Sequence, residues 1–280
     1  MIRPFKSDLV LDERINETTL RAYHVGFDQN RFRLLPLVDL LASVIPEFAL
    51  GLQEGGSVLL TAMVEKVREA AQTVYRTDKY ERRGEFGELI LHLLLRDFHN
   101  TIPLVSGIYF KDSANQQVKG FDGVHGSVEG GTRKLWLGES KIYSSGAAGI
   151  SELCSDLGKH FAGDYLRQQF VLLKRKLPQS LKDVEEWRAL MDSHRTLDAI
   201  FDSLVVPMVC TFGSRCCSEY CAETRDYLEA FEQECRDLHS QFSTCNVSTN
   251  VEVILLLLPV PDKGQLVDCL DSRLKAMQQI

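Results

Sequence analysis

The chain has 280 residues, which is enough for one large domain or two smaller ones around a substantial buried core. With 44% hydrophobic and 25% charged residues it has an ordinary globular composition, and no apolar run approaches the roughly 20 residues that cross a bilayer. The N-terminus has no signal-peptide h-region, so we expect a cytoplasmic protein with no membrane contact. The net charge of −7 excludes a surface that is basic throughout, so any binding to nucleic acid must rely on local clusters of Lys and Arg.

The first 80 residues predict a mixed segment added to the core of the fold. Residues 5–11 favour a strand, and residues 34–50, interrupted by two prolines, favour short helical pieces. Residues 61–75 carry apolar side chains at helical spacing and predict an amphipathic helix. We therefore expect 1–80 to be an elaboration that offers a docking surface to a partner, and 81–280 to hold the main domain.

A strongly helical stretch at residues 85–100 opens this main domain. Glu88 lies near its start, among apolar neighbours. One interpretation is that Glu88 complements the helix dipole on an exposed face. The other is that its carboxylate points toward the end of the sheet that follows, with Glu85 as the competing candidate. The residues expected to be buried on this helix are Phe86, Leu89, Ile90, Leu93, Leu94 and Phe98.

Residues 119–143 predict a β-hairpin that brings charged side chains together. The pattern favours a first strand that ends near Asp122, a turn built from Gly126, Gly130 and Gly131, and a second strand over 135–142. Side chains alternate along a strand, so Glu139 and Lys141 point the same way, and Asp122 lies near the same end. Such charges on an apolar hairpin are costly unless they pair, meet water or bind a metal ion.

This arrangement, an Asp followed across a hairpin by Glu-x-Lys, resembles the PD-(D/E)xK nuclease superfamily. Phosphodiester hydrolysis uses a divalent metal ion to offset charge and to activate water, and Mg²⁺ prefers oxygen ligands. Asp122 and Glu139 would supply them, and Lys141 would orient or activate the attacking water. The chain departs from the superfamily name because Phe121, and not Pro, precedes the Asp. The alternative is a solvated hairpin end with a surface Glu–Lys pair.

The resemblance implies two further metal ligands. The main-chain oxygen of Ser140 would be one, and Glu88, on the helix before the first strand, would complete the site. His125 is three residues beyond Asp122, and we expect it to be a turn histidine at the rim of the site.

The rest of the chain alternates helices and buried strands. A long helix is expected over 150–173. We expect Gln168 and Gln169 on this helix to be a solvated polar pair; the alternative is that one of them lies near the site, where some superfamily members place a Gln. Further elements are expected as helices over 181–201, 226–242 and 263–277, with Trp187 as a packing anchor, and as strands over 204–211 and 251–258. The order predicts an α/β fold: a restriction-endonuclease-like core with a central mixed sheet flanked by helices, extended at both termini.

Cysteines and basic residues give weaker signals. The eight cysteines are expected to be free thiols, because disulfides are rare in cytosolic proteins. The run at 216–221 lacks the paired spacing that would make a zinc site a strong prediction. Local positive charge for DNA contact would come from two clusters, Lys174 to Lys176 and the group Arg76, Lys79, Arg82 and Arg83.

Together, Glu88, GFDG at 120–123 and LGESK at 137–141 resemble HamA, the nuclease subunit family of the Hachiman anti-phage defence system. The resemblance implies a DNA nuclease that depends on Mg²⁺ or Mn²⁺. It also implies a partner helicase, HamB, that restrains the nuclease until infection or DNA damage. Two other functions stay open at this point: a catalytically idle nuclease fold that binds a partner or DNA ends, and an unrelated α/β interaction protein.

Overall fold

The computed structural model describes residues 3–51, 59–74, 84–105, 120–161, 164–245 and 251–280. Within these ranges one mixed seven-stranded sheet, in the order β1-β2-β9-β8-β7-β6-β5, organises the fold. Strands β2, β9, β8 and β7 run parallel, and the two edges are antiparallel. The strands are β1 (Asp12–Asn16), β2 (Leu20–His24), β5 (Ile102–Val105), β6 (Gly123–Glu129), β7 (Thr132–Tyr143), β8 (Leu204–Gly213) and β9 (Glu252–Val260), with a short ribbon of β3 (Phe27–Asp28) and β4 (Arg31–Phe32) beside the sheet.

Helices cover both faces of the sheet, each over its own hydrophobic cluster. One face carries α1 (Leu34–Leu50), α2 (Met63–Val74), α3 (Gly84–Phe98) and α10 (Lys263–Gln279). The other carries α4 (Gly146–His160), α5 (Tyr165–Lys176), α6 (Val184–Leu190), α7 (Leu197–Phe201), α8 (Arg215–Glu219) and α9 (Arg225–Ser243). The predicted α/β class, with a central mixed sheet flanked by helices, is confirmed. Strands β8 and β9 are apolar and almost wholly buried, as strands covered on both faces must be.

The N-terminal segment contributes to the central sheet. The strand expected at 5–11 is wrong, because a 3₁₀ turn forms at Ser7–Leu9 and the strand begins at Asp12. The buried Asp97 carboxylate accepts hydrogen bonds from the main-chain N–H groups of Phe5 and Ser7, which replaces the pairing that a strand would need. Strand β2 then lies parallel to β9.

Helix α1 is continuous, so the expectation of short helical pieces is wrong. Pro36 lies in the first turn, where a missing N–H removes no intrahelical hydrogen bond. Pro46 lies inside the helix and costs about 3 kcal/mol. Burying each large apolar side chain contributes about 1.5–3 kcal/mol, and α1 buries many of them, so tertiary packing outweighs the proline.

The hairpin forms with different boundaries from those expected. Asp122 precedes β6 and does not end it, and the turn lies at Gly130 and Gly131, both with positive φ. Gly126 is inside the strand, where a Cβ would approach the Trp187 ring to 2.5 Å, so packing and not turn geometry requires glycine there. The role expected for Trp187 as a packing anchor is confirmed, since it is 2% exposed.

The helix expected over 150–173 is two helices, α4 and α5, and the one over 181–201 is likewise α6 and α7. Gln168 is exposed but Gln169 is buried, so the expectation of a solvated polar pair is right for Gln168 and wrong for Gln169.

Cys154 and Cys245 form a disulfide with Cα atoms 5.6 Å apart, so the expectation of free thiols is wrong for this pair. The packing of α4 beside the end of α9 brings the two cysteines together.

Some expectations fall outside the described residues. They include most of the strand that the sequence predicts over 104–110, before the hairpin, the basic group at 76–83 and the boundary between 80 and 81. None of the helices in the described ranges combines the length and the apolar character needed to cross a membrane.

Candidate active site at one end of the sheet

Strand pairing places Asp122 and Glu139 side by side. Gly123 pairs with Gly138, so Asp122 and Glu139 are the next residues at the end of this antiparallel pair. The Asp122 Oδ2 atom accepts hydrogen bonds from the Ser140 main-chain N–H at 2.9 Å and from the Ser140 hydroxyl at 2.8 Å. Asp122 and Glu139 therefore lie next to each other at one end of the sheet, and the charge of Glu139 acts on the Asp122 carboxyl group.

Asp122 is in an unfavourable environment for a negative charge. Burial raises the pKa of its carboxyl group to about 7, and the neighbouring Glu139 charge adds to this effect. The hydrogen bonds from Ser140 and the Lys141 ammonium oppose the increase without cancelling it. Two buried carboxylates that repel each other form a pair that a divalent cation would relieve.

Glu139 is held through one of its two oxygens. It is 4% exposed, and its Oε1 lies 2.7 Å from Nε2 of the buried His160. Its Oε2 lies 3.6 Å from the Lys141 ammonium, which confirms that Glu139 and Lys141 share one face of β7. The Phe121 ring stacks on the His160 ring with centroids 4.3 Å apart. Phe121, which departs from the superfamily pattern, therefore packs on the histidine that holds Glu139.

Lys141 has a closer partner than Glu139. Its ammonium lies 2.6 Å from Asp156 Oδ2, and Asp156 also pairs with Lys159. Burial lowers the pKa of Lys141, but the hydrogen bond to Asp156 and the charges of the surrounding carboxylates outweigh this effect and raise it. Lys141 is therefore a cation at any physiological pH, suited to orienting water or offsetting charge and not to accepting a proton.

Glu88 lies on α3, in the opposite helical layer. It is half-buried and lines a cleft together with Asp122, whereas Glu85 is absent from the residues that line it. Helix α3 packs closely on β7 here, since a Cβ at Gly87 would lie 2.8 Å from the Ser140 hydroxyl. Of the two candidate glutamates, Glu88 is thus the one that shares a cleft with Asp122.

His125 does not have the position expected from the sequence. It is a strand residue, 2% exposed, with its Nδ1 atom 2.8 Å from the Thr101 hydroxyl. Burial holds its pKa well below the usual value. The expected rim histidine is therefore a buried, neutral strand residue that lines the same cleft as Asp122.

The sequence reading missed three side chains near the Glu-x-Lys strand: Asp156, His160 and Tyr165. The Tyr165 ring lies 5.0 Å from the His160 ring, and burial, with the nearby carboxylates, raises its pKa to about 12. A signal existed for the other two, because Asp156 and His160 are four residues apart and so share one helix face.

The donor set fits a hard divalent ion better than zinc. In the described ranges no three His, Cys, Asp or Glu side chains are arranged to hold a metal ion. Cys216 and Cys217 are buried beside Ser214, and Cys221 is exposed, so no zinc site forms from the described cysteines of this run. Mg²⁺ needs only one or two carboxylates, because it keeps several waters, and the Asp122–Glu139 pair offers that number.

A basic cluster that the sequence singles out lies at the C-terminal end of α5. Lys174 pairs with Asp192 at 3.2 Å, so part of its charge is already offset. Arg175 is exposed. The second cluster, at 76–83, lies outside the described residues.

A search of curated proteins finds no match to the chain. A family model described as HamA matches residues 3–274 of the 280, and the chain therefore belongs to the HamA family.

Proposed function

We propose that this chain, whose family implies a role in anti-phage defence, is a metal-dependent DNA nuclease. The observation that supports it best is the convergence of Asp122, Glu139 and Lys141 at one end of β7. The order of α3, β5, β6, β7, α4 and β8 supports a PD-(D/E)xK core, and we propose that fold for the centre of the chain.

In this proposal Asp122 and Glu139 would hold Mg²⁺ or Mn²⁺, with the Ser140 carbonyl oxygen as a further ligand, and Glu88, which shares a cleft with Asp122, would reach the ion through one of the water molecules that it keeps. The bound ion would lower the pKa of a water molecule and offset charge on the scissile phosphate. The hydrogen bonds from Ser140 fix the Asp122 carboxylate in one rotamer. The Lys141 ammonium orients the attacking water and stabilises the negative charge that develops on the phosphate.

We also propose that the HamB helicase docks on the N-terminal part of the chain. The start of α2 and the residues before it expose a cluster of large apolar side chains, Leu59, Leu60, Met63 and Val64, each at least 45% accessible. Exposed apolar clusters of this kind favour protein contact. A partner bound here would lie next in sequence to the helix that carries Glu88, and could therefore restrain the nuclease without touching β7.

The decisive experiment is plasmid degradation by the purified chain, with Mg²⁺, with Mn²⁺ or with EDTA, and with or without HamB. The nuclease proposal expects cleavage with either ion, none with EDTA, and suppression by HamB. If the folded chain binds HamB or DNA ends and never cuts DNA under any of these conditions, the idle-module function is correct instead.

A further inference from the structure

Helix α4 presents two side chains, one turn apart, to Glu139 and Lys141 of β7. Asp156 lies 2.6 Å from the Lys141 ammonium, and His160 lies 2.7 Å from Glu139 Oε1. Each charged residue of the Glu-x-Lys pair thus has its own partner on α4. Neither partner belongs to the pattern by which the nuclease resemblance is recognised.

The Lys141 ammonium lies near two carboxylates, those of Asp156 and Glu139, and the difference between the two distances indicates the role of Asp156. Asp156 Oδ2 is about 1 Å nearer to Lys141 Nζ than Glu139 Oε2 is, at 2.6 Å against 3.6 Å. Without the Asp156 charge, Glu139 is the nearest carboxylate left to the ammonium. The two would then form a closer pair, because Coulomb attraction rises as the separation falls. That closer pair would compete with a divalent ion for Glu139.

His160 controls the orientation of Glu139. Its ring is 6% exposed and is stacked on Phe121, with Tyr165 on a further side, so it has little freedom to turn. The hydrogen bond from the ring occupies Oε1 and leaves Oε2 toward Lys141. A carboxylate held through one oxygen keeps a fixed rotamer and offers the other oxygen to a ligand.

Helix α4 is itself anchored firmly enough to act as a template. A Cβ at Gly149 would lie 2.6 Å from the Cys210 sulfur of β8, so the helix and the sheet are in close contact. Ile150, Leu153 and Leu157 on the same helix are almost completely buried. The positions of Asp156 and His160 are therefore set by the core and not by a mobile loop.

We propose that Asp156 and His160 are positioning residues for the Glu-x-Lys pair. Asp156 draws Lys141 away from Glu139 and so keeps that carboxylate available to a divalent ion, while His160 fixes the rotamer of Glu139. This inference rests on the proposed nuclease function, and it gives a positioning role to two residues that do not touch the substrate.

The test uses two variants that preserve packing. Asp156→Asn keeps the side-chain size and removes the charge, and His160→Phe keeps a ring against Phe121 and removes the N–H donor. Removing the His160 donor takes away a partner of a metal ligand, which is worth roughly 10–100-fold in metal affinity or activity. Removing the Asp156 charge lets the Lys141 ammonium compete for Glu139. Each variant should therefore bind Mn²⁺ about tenfold or more weakly without DNA. In cleavage assays the Mg²⁺ concentration for half-maximal rate should rise by about the same factor, while KM for DNA stays near its wild-type value.

Matched variants separate positioning from general damage. Glu152→Gln alters another carboxylate of α4, one turn earlier, and no ion pair joins it to Lys141 in the described structure. It should keep wild-type Mn²⁺ affinity. Asp156→Glu and His160→Gln retain a carboxylate and an N–H donor, respectively, and should recover part of the lost affinity.

The outcomes of the two proposals are distinct. If wild-type protein neither cuts DNA nor binds Mn²⁺, the nuclease function fails. If wild-type protein does both, and a folded Asp156→Asn variant has unchanged Mn²⁺ affinity or cuts faster than wild type, positioning by Asp156 is overturned. Should Asp156→Asn not fold, unchanged Mn²⁺ affinity in His160→Phe overturns the proposal for the helix face.

Discussion

Replacing Glu139 by Gln should greatly reduce DNA cleavage while the protein stays folded. The amide has nearly the shape of the carboxylate and keeps an oxygen that can accept the hydrogen bond from His160, which lies 2.7 Å away. It loses the negative charge that a divalent ion and Lys141 require. We expect DNA cleavage to fall by a factor on the order of 10³ or more.

The stability cost of the same change should be small. A hydrogen bond to a charged group contributes about 1.5–3 kcal/mol and a neutral one about 0.5–1.5 kcal/mol, so Glu139→Gln should lose about 1 kcal/mol. Glu139→Ala removes the bond and leaves the His160 donor unsatisfied, at a cost of about 2–4 kcal/mol. At roughly 2–4 °C per kcal/mol, Tm should fall by about 3 °C for Gln and about 10 °C for Ala. Asp156 still pairs with Lys141 in both variants, which limits the loss.

The assay is plasmid cleavage under single-turnover conditions, with Tm measured by calorimetry on the same samples. Glu252→Gln is the control, since Glu252 forms a more exposed Glu–Lys pair with Lys134 at 2.9 Å, at the N-terminal end of β9 and away from the site. It should leave cleavage unchanged. Adding Lys141→Met to Glu139→Gln should cost little beyond either single change, because residues that act as a unit are not additive. A folded Glu139→Gln protein that cuts at the wild-type rate would refute the nuclease assignment.

Three further predictions follow from other parts of the molecule. Glu88→Gln should weaken cleavage and its metal dependence more than Glu85→Gln does, because Glu88 shares a cleft with Asp122; the reverse order would mean that the wrong glutamate has been chosen. Burial, with the charge of a nearby arginine, lowers the pKa of His99 to about 4. Below about pH 6.5 the unfolded chain binds a proton at this histidine more readily than the folded chain does, so its contribution to stability is complete above about pH 6.5 and is lost as pH falls toward 4. Urea unfolding at pH 7.5 and pH 5 should show wild type losing about 2 kcal/mol more than His99→Phe, and equal losses would contradict the assignment. Leu60→Asp with Met63→Asp should abolish co-purification with HamB while Tm is kept, whereas Glu139→Ala should not; persistent binding by the first variant would place the docking surface elsewhere.

The parts of the fold that the sequence predicts well are those with local signals. Strands β8 and β9 are continuous apolar runs, and α3 has apolar residues at helical spacing along one face. All three elements therefore appear where they are expected. The pairing of β2 with β9 joins residues more than 200 positions apart, and no local pattern encodes it. The continuity of α1 through Pro46 likewise depends on tertiary burial, which outweighs the local effect of proline.

The residues of the candidate site also fall into those that a local sequence pattern predicts and those that it does not. The alternation of side chains on β7 is a local property, and it places Glu139 and Lys141 together. The partners of these residues, Asp156 and His160, depend on how α4 packs on the sheet, and their spacing alone does not say what they face. The role of Phe121 is similar, because only the three-dimensional structure shows that it stacks on His160.

Strand β7 also explains why the site draws on both helical layers. Ser140 faces α3, where it approaches Gly87, and the residues on either side of it, Glu139 and Lys141, face α4. A site at the end of this strand would therefore take Glu88 from α3 and the partners of the Glu-x-Lys pair from α4. The two layers rest on separate hydrophobic clusters, so a substitution of Glu88 should leave the Glu139–His160 and Lys141–Asp156 contacts intact.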